Sequence, residues 1–133
     1  MNTFKTLSLA LLPAAMALGV IATDAAPQAA APLTVQVYNA DGASFHVNAV
    51  LVAGKTDAVL LDTGFTRADA LRIAAMVLDS KKTLKTVYIS QADPDYYFGI
   101  EVIKQYFPEA KVVTTAPTLK KIEATLATKL QVW

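Results

Sequence analysis

The chain has 133 residues, a formal net charge of +1 and no cysteine. Its lysines are scattered and form no basic patch, which argues against nucleic acid as the main partner. Without cysteine the chain forms no disulfide, has no thiolate metal site and has no thiol nucleophile, so a hydrophobic core must hold its one small domain.

The first 25 residues are typical of a secretory signal peptide. Lys5 supplies a positive charge, the apolar run Leu7–Ile21 has signal-peptide length, and Thr23–Ala26 offers small residues for cleavage. The run is short for a transmembrane helix, so we expect no stable membrane span after cleavage, with an uncleaved anchor as the alternative. We therefore predict a periplasmic or secreted protein with a signal peptide over residues 1–25, a disordered leader over 26–32 and a folded domain over 33–133.

The folded part begins with a pattern that predicts a β-meander. Leu33–Tyr38 alternates apolar and polar residues, and Asn39–Gly42 is a turn signal before a second alternating strand, Ser44–Val52. The Gly54–Asp57 turn then leads into Ala58–Leu61. This continuous apolar run predicts a short strand that is buried on both faces.

Helical periodicity begins after the Asp62–Gly64 break. Thr66 is expected to cap the helix, and Asp69 is favourable in its first turn. The helix is predicted to run to about Leu78. The spacing i, i+3, i+4 and i+7 predicts a buried stripe made of Leu71, Ala74, Ala75 and Leu78.

The rest of the chain alternates strands with helices. We predict strands at Thr86–Ile89 and Lys111–Thr114, a helix from about Tyr96 to Phe107, a helix opening at Pro117, and the start of a strand at Leu130–Trp133. A strand that starts at the last four residues suggests a fragment or a truncated reading frame. The alternation predicts an α/β domain with a mixed sheet and helices packed on it.

Residues that carry chemistry follow two of these strands. Asp62 ends the strand Ala58–Leu61, and Ser90–Gly99 follows Thr86–Ile89 with two carboxylates, an amide and two phenols. If the two strands are parallel, their carboxyl ends meet at one edge of the sheet, where open α/β sheets bind ligands. Asp62 would then face the Ser90–Gly99 segment. The single histidine, His46, falls on the polar face of its strand and is expected to be solvated or hydrogen-bonded.

These segments resemble the metallo-β-lactamase fold superfamily. The resemblance rests on Asn48–Val52, Ala58–Gly64 and Val87–Ser90, with Asp95 and Gly99. The family runs a strand pair into an Asp-Thr-Gly turn, a helix, a strand and the motif Thr/Ser-His-x-His-x-Asp-His-x-x-x-Gly. The resemblance covers most of the predicted domain and implies the N-terminal half of an αββα sandwich.

The resemblance also implies a metal site, but its histidines are replaced. Gln91, Asp93 and Tyr96 stand at the three histidine positions, and Asp95 stands at the motif aspartate. Family members bind zinc, which lowers the pKa of a bound water to about 7. Gln91 is a poor zinc ligand, and carboxylate oxygens suit Mg²⁺, Ca²⁺ or Mn²⁺ better. The sequence therefore does not identify the cofactor. A divalent metal ion is compatible with these residues, and an ordinary dinuclear zinc site is not expected.

The first hypothesis for the function is a divergent hydrolase of ester or amide bonds. Asp93 and Asp95 would be catalytic, and the same two residues with Gln91 and Tyr96 would hold a metal or position a water. The second hypothesis is a non-catalytic protein that binds a small molecule in the same cleft, and the third is an inactive fragment. The residues expected to support the site loop are Asp62, Gly64 and Gly99.

A purely structural account of the two aspartates is the main alternative. Asp93-Pro94-Asp95 is good turn chemistry, and Asp95 could cap the following helix. The Asp-x-Asp spacing is also found in metal–nucleotide sites of glycosyltransferases, although the surrounding pattern fits the lactamase fold better. The expected partners are a small-molecule substrate or ligand and, through an exposed sheet edge, a second copy of the chain.

Overall fold

The computed structural model describes residues 31–133, so the predicted signal peptide and most of the predicted leader lie outside the described residues. Within the described part, no helix is both long and apolar enough to cross a membrane. The elements in chain order are β1 (Thr34–Asn39), a 3₁₀ turn (Gly42–Ser44), β2 (Asn48–Ala53), β3 (Asp57–Leu61), α1 (Arg67–Asp79), β4 (Thr83–Ile89), α2 (Pro94–Tyr97), α3 (Ile100–Tyr106), β5 (Lys111–Thr114) and α4 (Ala116–Val132).

The five strands form one mixed sheet in the order β1-β2-β3-β4-β5. The first three strands are an antiparallel meander, and β3, β4 and β5 run parallel to one another. The parallel connections pass through α1 and through α2 with α3. This confirms the predicted α/β class and the mixed sheet with helices packed on it. It also brings the carboxyl ends of β3 and β4 to the same edge of the sheet.

The core lies between one face of the sheet and helices α1 and α3. Leu51 and Leu60 from the sheet, Ile73 from α1 and Ile103 from α3 are fully buried there. Ile122 and Leu126 of α4 pack against the margin of the same core, whereas Leu119 of that helix is exposed. On the other face of the sheet, alternate positions are much more exposed. The sheet therefore has one covered face and one open face.

The second strand is shorter than predicted. It begins at Asn48 instead of Ser44, because Gly42–Ser44 form a 3₁₀ turn and the next two residues leave the extended region. Phe45 and His46 have φ angles of 57° and 55°, which are left-handed conformations. Alternation alone could not reveal this, since the apolar and polar residues still alternate through the turn.

The prediction that Ala58–Leu61 is buried on both faces is wrong. Ala58 and Leu60 are buried, but Val59 between them is 37 % exposed. A continuous apolar run indicates two covered faces only when elements pack on both sides of the sheet. In the described part of the chain, helices cover only one face of the sheet.

The predicted buried stripe of α1 is displaced by one residue. The helix begins after Thr66 as expected, with a capping box between Thr66 and Asp69. Leu71 and Leu78, however, are 38 % and 53 % exposed. The residues of α1 that are buried are Asp69, Ala70, Ile73, Ala74 and Val77.

The helix predicted from about Tyr96 to Phe107 is two helices, α2 and α3. They meet at Phe98 and Gly99, where the Gly99 N–H leaves the helical pattern and donates to the Gly64 carbonyl at 3.1 Å. The strand predicted at Leu130–Trp133 is also wrong. These residues continue and end α4, which Thr115 caps, so the apolar residues there belong to a helix.

Candidate functional site

The candidate site lies at the edge of the sheet where β3 and β4 end. Asp62 follows β3 in a left-handed conformation with φ 62°. Its buried carboxylate accepts two hydrogen bonds from Ser90, one from the backbone N–H at 2.8 Å and one from the hydroxyl at 2.7 Å. Burial raises the pKa of Asp62, the bonds from Ser90 lower it, and the nearby charge of Asp95 raises it, for a net increase. The end of β3 is thereby tied to the start of the motif segment.

The turn after Asp62 is bonded to the motif segment at two further points. The Thr63 backbone N–H and hydroxyl donate to the Tyr96 carbonyl at 2.8 and 3.2 Å, next to the bond between Gly99 and Gly64. Gly64 has φ 83°, where glycine is favoured. A Cβ atom at position 99 would lie 2.0 Å from the Thr63 carbonyl oxygen, so only glycine fits there. The junction therefore contains all three residues that were expected to support the site loop.

Asp93 and Asp95 differ in what surrounds their carboxylates. Asp93 stands at the N-cap position of α2 without a capping hydrogen bond, and Asp95 lies inside the first turn, so the alternative in which Asp95 caps this helix does not hold. Asp93 Oδ1 pairs with Lys129 Nζ at 3.0 Å, and the same ammonium donates to the Ala92 carbonyl. Asp95 has no ion-pair partner in residues 31–133. Partial burial is the largest effect on the pKa of Asp95 and raises it. The backbone N–H of Asp95 and the charge of Lys129 lower this pKa, the charge of Asp93 raises it, and the net result is a raised pKa.

A cleft of about 390 Å³ opens beside these carboxylates. Besides Asp93, Asp95 and Lys129, aromatic residues from distant parts of the chain form its walls. Three of the rings contact one another in a triangle with centroid separations of 5.5, 5.8 and 5.5 Å, each pair meeting edge to face. The aromatic residues of the cleft are Phe45, Phe65 and Trp133, which form the triangle, and Tyr96.

The loop that carries Phe45 is held by a buried carboxylate. Asp69 accepts hydrogen bonds from the Tyr38 hydroxyl at 2.6 Å, the Ser44 hydroxyl at 2.6 Å and the Thr66 hydroxyl at 2.6 Å, and a fourth from the Thr66 N–H at 3.1 Å. Burial alone would raise the pKa of Asp69, but these hydrogen bonds outweigh it and lower the pKa to about 2. One ionised side chain thus joins β1, the 3₁₀ turn and the start of α1.

Of the remaining residues that the sequence analysis considered, Tyr96 lies at the cleft, whereas Gln91 and His46 do not line it. The Tyr96 side chain lines the cleft, where burial and then the charges of Asp95, Asp62 and Asp93 raise the pKa of its phenol, so the phenol is neutral at physiological pH. Gln91 is exposed and is not part of the cleft wall. His46 is exposed in the loop before β2, and not on a strand as predicted.

Sequence reasoning missed much of the cleft wall. The alternating pattern predicts that Phe45 lies within the strand Ser44–Val52, and the pattern of the last four residues predicts a strand in place of the end of α4, so neither segment was expected beside the motif. The available signals were the aromatic residue directly after the Asp-Thr-Gly turn and the single tryptophan of the chain. The cleft residues that were missed are Phe45, Phe65, Lys129 and Trp133.

The donor atoms at this edge do not fit a zinc ion. Within residues 31–133, no three His, Asp or Glu side chains come close enough together to hold a metal. The Asp93 carboxylate is paired with an ammonium, and the Asp62 carboxylate already accepts two hydrogen bonds. A protein zinc site needs three or four converging ligands, most often imidazoles or thiolates. The described residues do not supply such a set.

No family model matches the chain, and no curated protein matches it. Two solved structures of metallo-β-lactamases are similar to it in fold. The first is FIM-1 from Pseudomonas aeruginosa in its mono-zinc form, with a TM-score of 0.51 and 17 % identity over 69 % of this chain and 41 % of that one. The second is TMB-1, with a TM-score of 0.50 and 16 % identity over 69 % of this chain and 42 % of that one.

The sheet and helices described above therefore form part of a metallo-β-lactamase fold. The chain spans about two fifths of the length of each of the two neighbours. The similarity concerns the fold alone, and this fold is the one that the resemblance of the sequence implies.

Proposed function

We propose that this chain is a periplasmic or secreted protein of the metallo-β-lactamase fold whose cleft at the sheet edge binds a small organic molecule without a metal ion. The observation that carries the proposal is the cleft of about 390 Å³ beside the ends of β3 and β4. Its volume is in the range of small-molecule sites, and it combines aromatic walls with a few polar groups. Its position is the one that open α/β sheets use for ligands.

The junction beneath the cleft supports this proposal. Asp62, Thr63 and Gly99 hold the motif segment to the end of β3 through short hydrogen bonds and a contact that only glycine allows. A rigid floor lowers the entropic cost of ligand binding because fewer groups must be ordered. The same junction keeps Tyr96 and Asp95 at the cleft in one arrangement.

Ligand mapping by NMR tests the proposal. A fragment library titrated into isotope-labelled protein is expected to shift amide signals at the cleft, centred on Phe65, Asp95 and Trp133. Phe65→Ala removes one wall and should weaken the fragments that bind there by about tenfold. Leu71→Ala, which removes a partly exposed side chain from α1, is the matched control and should leave them unchanged. Shifts that cluster elsewhere, or no binding fragment at all, would contradict the proposal.

A second candidate function is hydrolysis, and the environment of Asp95 favours it. Its carboxyl has a raised pKa and no ion-pair partner in the described residues, which suits a general base. Asp95 would take a proton from a water whose oxygen attacks the carbonyl carbon of an ester or amide. The proton would then pass to the leaving oxygen or nitrogen as its bond to that carbon breaks.

The hydrolytic function is tested with generic ester and lactam substrates. If it holds, the unmodified protein has measurable turnover, and Asp95→Ala lowers it by at least about a hundredfold. Asp79→Ala, at the exposed end of α1, is the control for changes in net charge. Turnover that survives Asp93→Ala combined with Asp95→Ala would show that these carboxylates are not the catalytic groups.

A further inference from the structure

We infer that the ligand of this cleft is an organic cation with a substituted ammonium group. The inference rests on the proposed small-molecule binding and names the chemical class of the ligand. It depends on three features of the cleft: an excess of negative charge, a wall of exposed aromatic rings, and a set of acidic side chains too small to hold a metal ion.

The charges around the cleft leave a negative excess. Asp93 and Asp95 line it, and among residues 31–133 the only cation that lines it is Lys129. Lys129 Nζ contacts Asp93 at 3.0 Å and so neutralises that carboxylate, while Asp95 has no ion-pair partner among residues 31–133. Two carboxylates against one ammonium leave one negative charge. The buried carboxylate of Asp62 lies behind them and is close enough to interact with Asp95.

The aromatic wall is unusually accessible for side chains of this size. Phe45 is 56 % exposed and Trp133 is 62 % exposed, although both contact the ring of Phe65. Large aromatic side chains are normally buried, and an exposed cluster of them marks a binding surface. The π faces of such rings attract cations, and N-methylated ammonium groups are the ligands best suited to them.

The loop conformation gives independent support for the role of Phe45. Phe45 and His46 are both in the left-handed region, which is unfavourable for a bulky side chain. The loop keeps this conformation because Ser44 donates a hydrogen bond to buried Asp69 and the Asp41 carboxylate accepts one from the Ala43 N–H. Residues held in such conformations concentrate at functional sites. Here the conformation places an aromatic ring at the mouth of the cleft.

The small number of acidic side chains favours an organic cation over a metal ion. Two acidic side chains, Asp93 and Asp95, line the cleft, and within residues 31–133 no three His, Asp or Glu side chains converge to hold a metal ion. A metal ion needs several oxygen atoms within its own coordination shell. A substituted ammonium spreads its charge over a larger volume, so a single carboxylate beside aromatic rings is enough to attract it. Its methyl groups also match the apolar part of the lining.

A pair of isosteric probes isolates the effect of the charge. Choline and 3,3-dimethylbutan-1-ol have nearly the same shape, but only choline is a cation. Trp133 is the single tryptophan of the chain, so its emission reports binding at the cleft directly. We expect a saturable change in Trp133 emission with choline and binding of the neutral alcohol that is weaker by about tenfold. Equal affinity for the two probes would overturn the inference, and so would a failure of choline to bind.

Two substitutions with opposite expected effects strengthen the test. Lys129→Met removes the competing ammonium and frees Asp93, so choline should bind more tightly by about threefold. Asp95→Asn removes the unpaired carboxylate and should weaken binding by a similar factor. Asp79→Asn, on the exposed end of α1, is the charge control and should change nothing. Circular dichroism checks that each variant is folded.

The outcomes separate this inference from the proposed function. Weaker choline binding in Lys129→Met, or unchanged binding in Asp95→Asn, would overturn the cation inference. If neutral fragments bind the cleft as well as choline does, the cation inference fails while small-molecule binding stands. In these binding experiments, the proposed function is contradicted if every fragment is absent from the cleft.

Discussion

The buried carboxylate of Asp69 connects three segments of the chain beside the cleft. Its capping box with Thr66 was predictable, because the two residues are three apart and precede a helical pattern. Its bonds to Tyr38 and Ser44 were not, because they join residues 31 and 25 positions away. Contacts at such separations follow from the packed fold, whereas local pattern specifies only the cap.

The low pKa of Asp69 makes stability depend on pH. In the folded chain the pKa is about 2, below its usual value of 3.8, so the folded state favours the charged carboxylate. Its contribution of about 2 kcal/mol is fully present above pH 4 and is lost as the pH falls towards 2. We expect Asp69→Asn to lower the free energy of unfolding by about this amount at pH 7 and by much less near pH 2. Urea titrations across that pH range measure it, with exposed Asp79→Asn as the control. A deficit that is constant with pH would contradict this account.

At the junction between the Asp62–Gly64 turn and α3, local pattern predicted some of the elements and missed others. The turn, the strand before it and the helix after it were predicted from local pattern. The break between α2 and α3 at Gly99 was not predicted, because the sequence around it is compatible with one helix.

The displacement of the buried stripe of α1 has a related cause. Small Ala70 faces Gly99 and allows a close approach, so the helix rotates its larger residues Leu71 and Leu78 outward.

Substitution of Gly99 tests this junction. A Cβ atom there would lie 2.0 Å from the Thr63 carbonyl oxygen and 2.9 Å from the Ala70 Cβ, so the backbone must move. We expect Gly99→Ala to destabilise the fold by about 3 kcal/mol or more. Gly54→Ala is the matched control, because its Cβ would make only ordinary contacts at 3.7 Å and should change stability by less than about 1 kcal/mol. Similar unfolding midpoints for the two variants would argue against a close-packed junction.

At the scale of the whole molecule, the mixed sheet with helices packed on it was predictable, because strands and helices alternate clearly after the meander, but the order of the strands was not predicted. The composition of the cleft was not. It combines Phe45 from a left-handed loop with Lys129 and Trp133 from the end of α4, and neither segment has the structure that its local pattern predicts. The chemistry of the site therefore depends on two places where packing overrides local pattern.

The open face of the sheet leads to a proposal about association. Val35 and Val37 on edge strand β1 are 62 % and 59 % exposed, and Val113 on the opposite edge strand is 42 % exposed. We propose that copies of the 133-residue chain associate through this apolar face and its edge. Val37→Lys should shift the sedimentation profile towards monomer, whereas Gln36→Lys adds the same charge at the neighbouring position and should not. A monomeric, cooperatively folding unmodified chain would refute the proposal.

The central claim is that this metallo-β-lactamase-type fold carries a ligand cleft in place of a zinc centre. Mass-spectrometric metal analysis of the longest natural form of the protein, purified with added zinc and without chelator, tests it most directly. The account predicts well below one zinc per chain, with no difference between the unmodified protein and Asp93→Ala combined with Asp95→Ala. One or two zinc ions per chain that are lost in the double variant would contradict it.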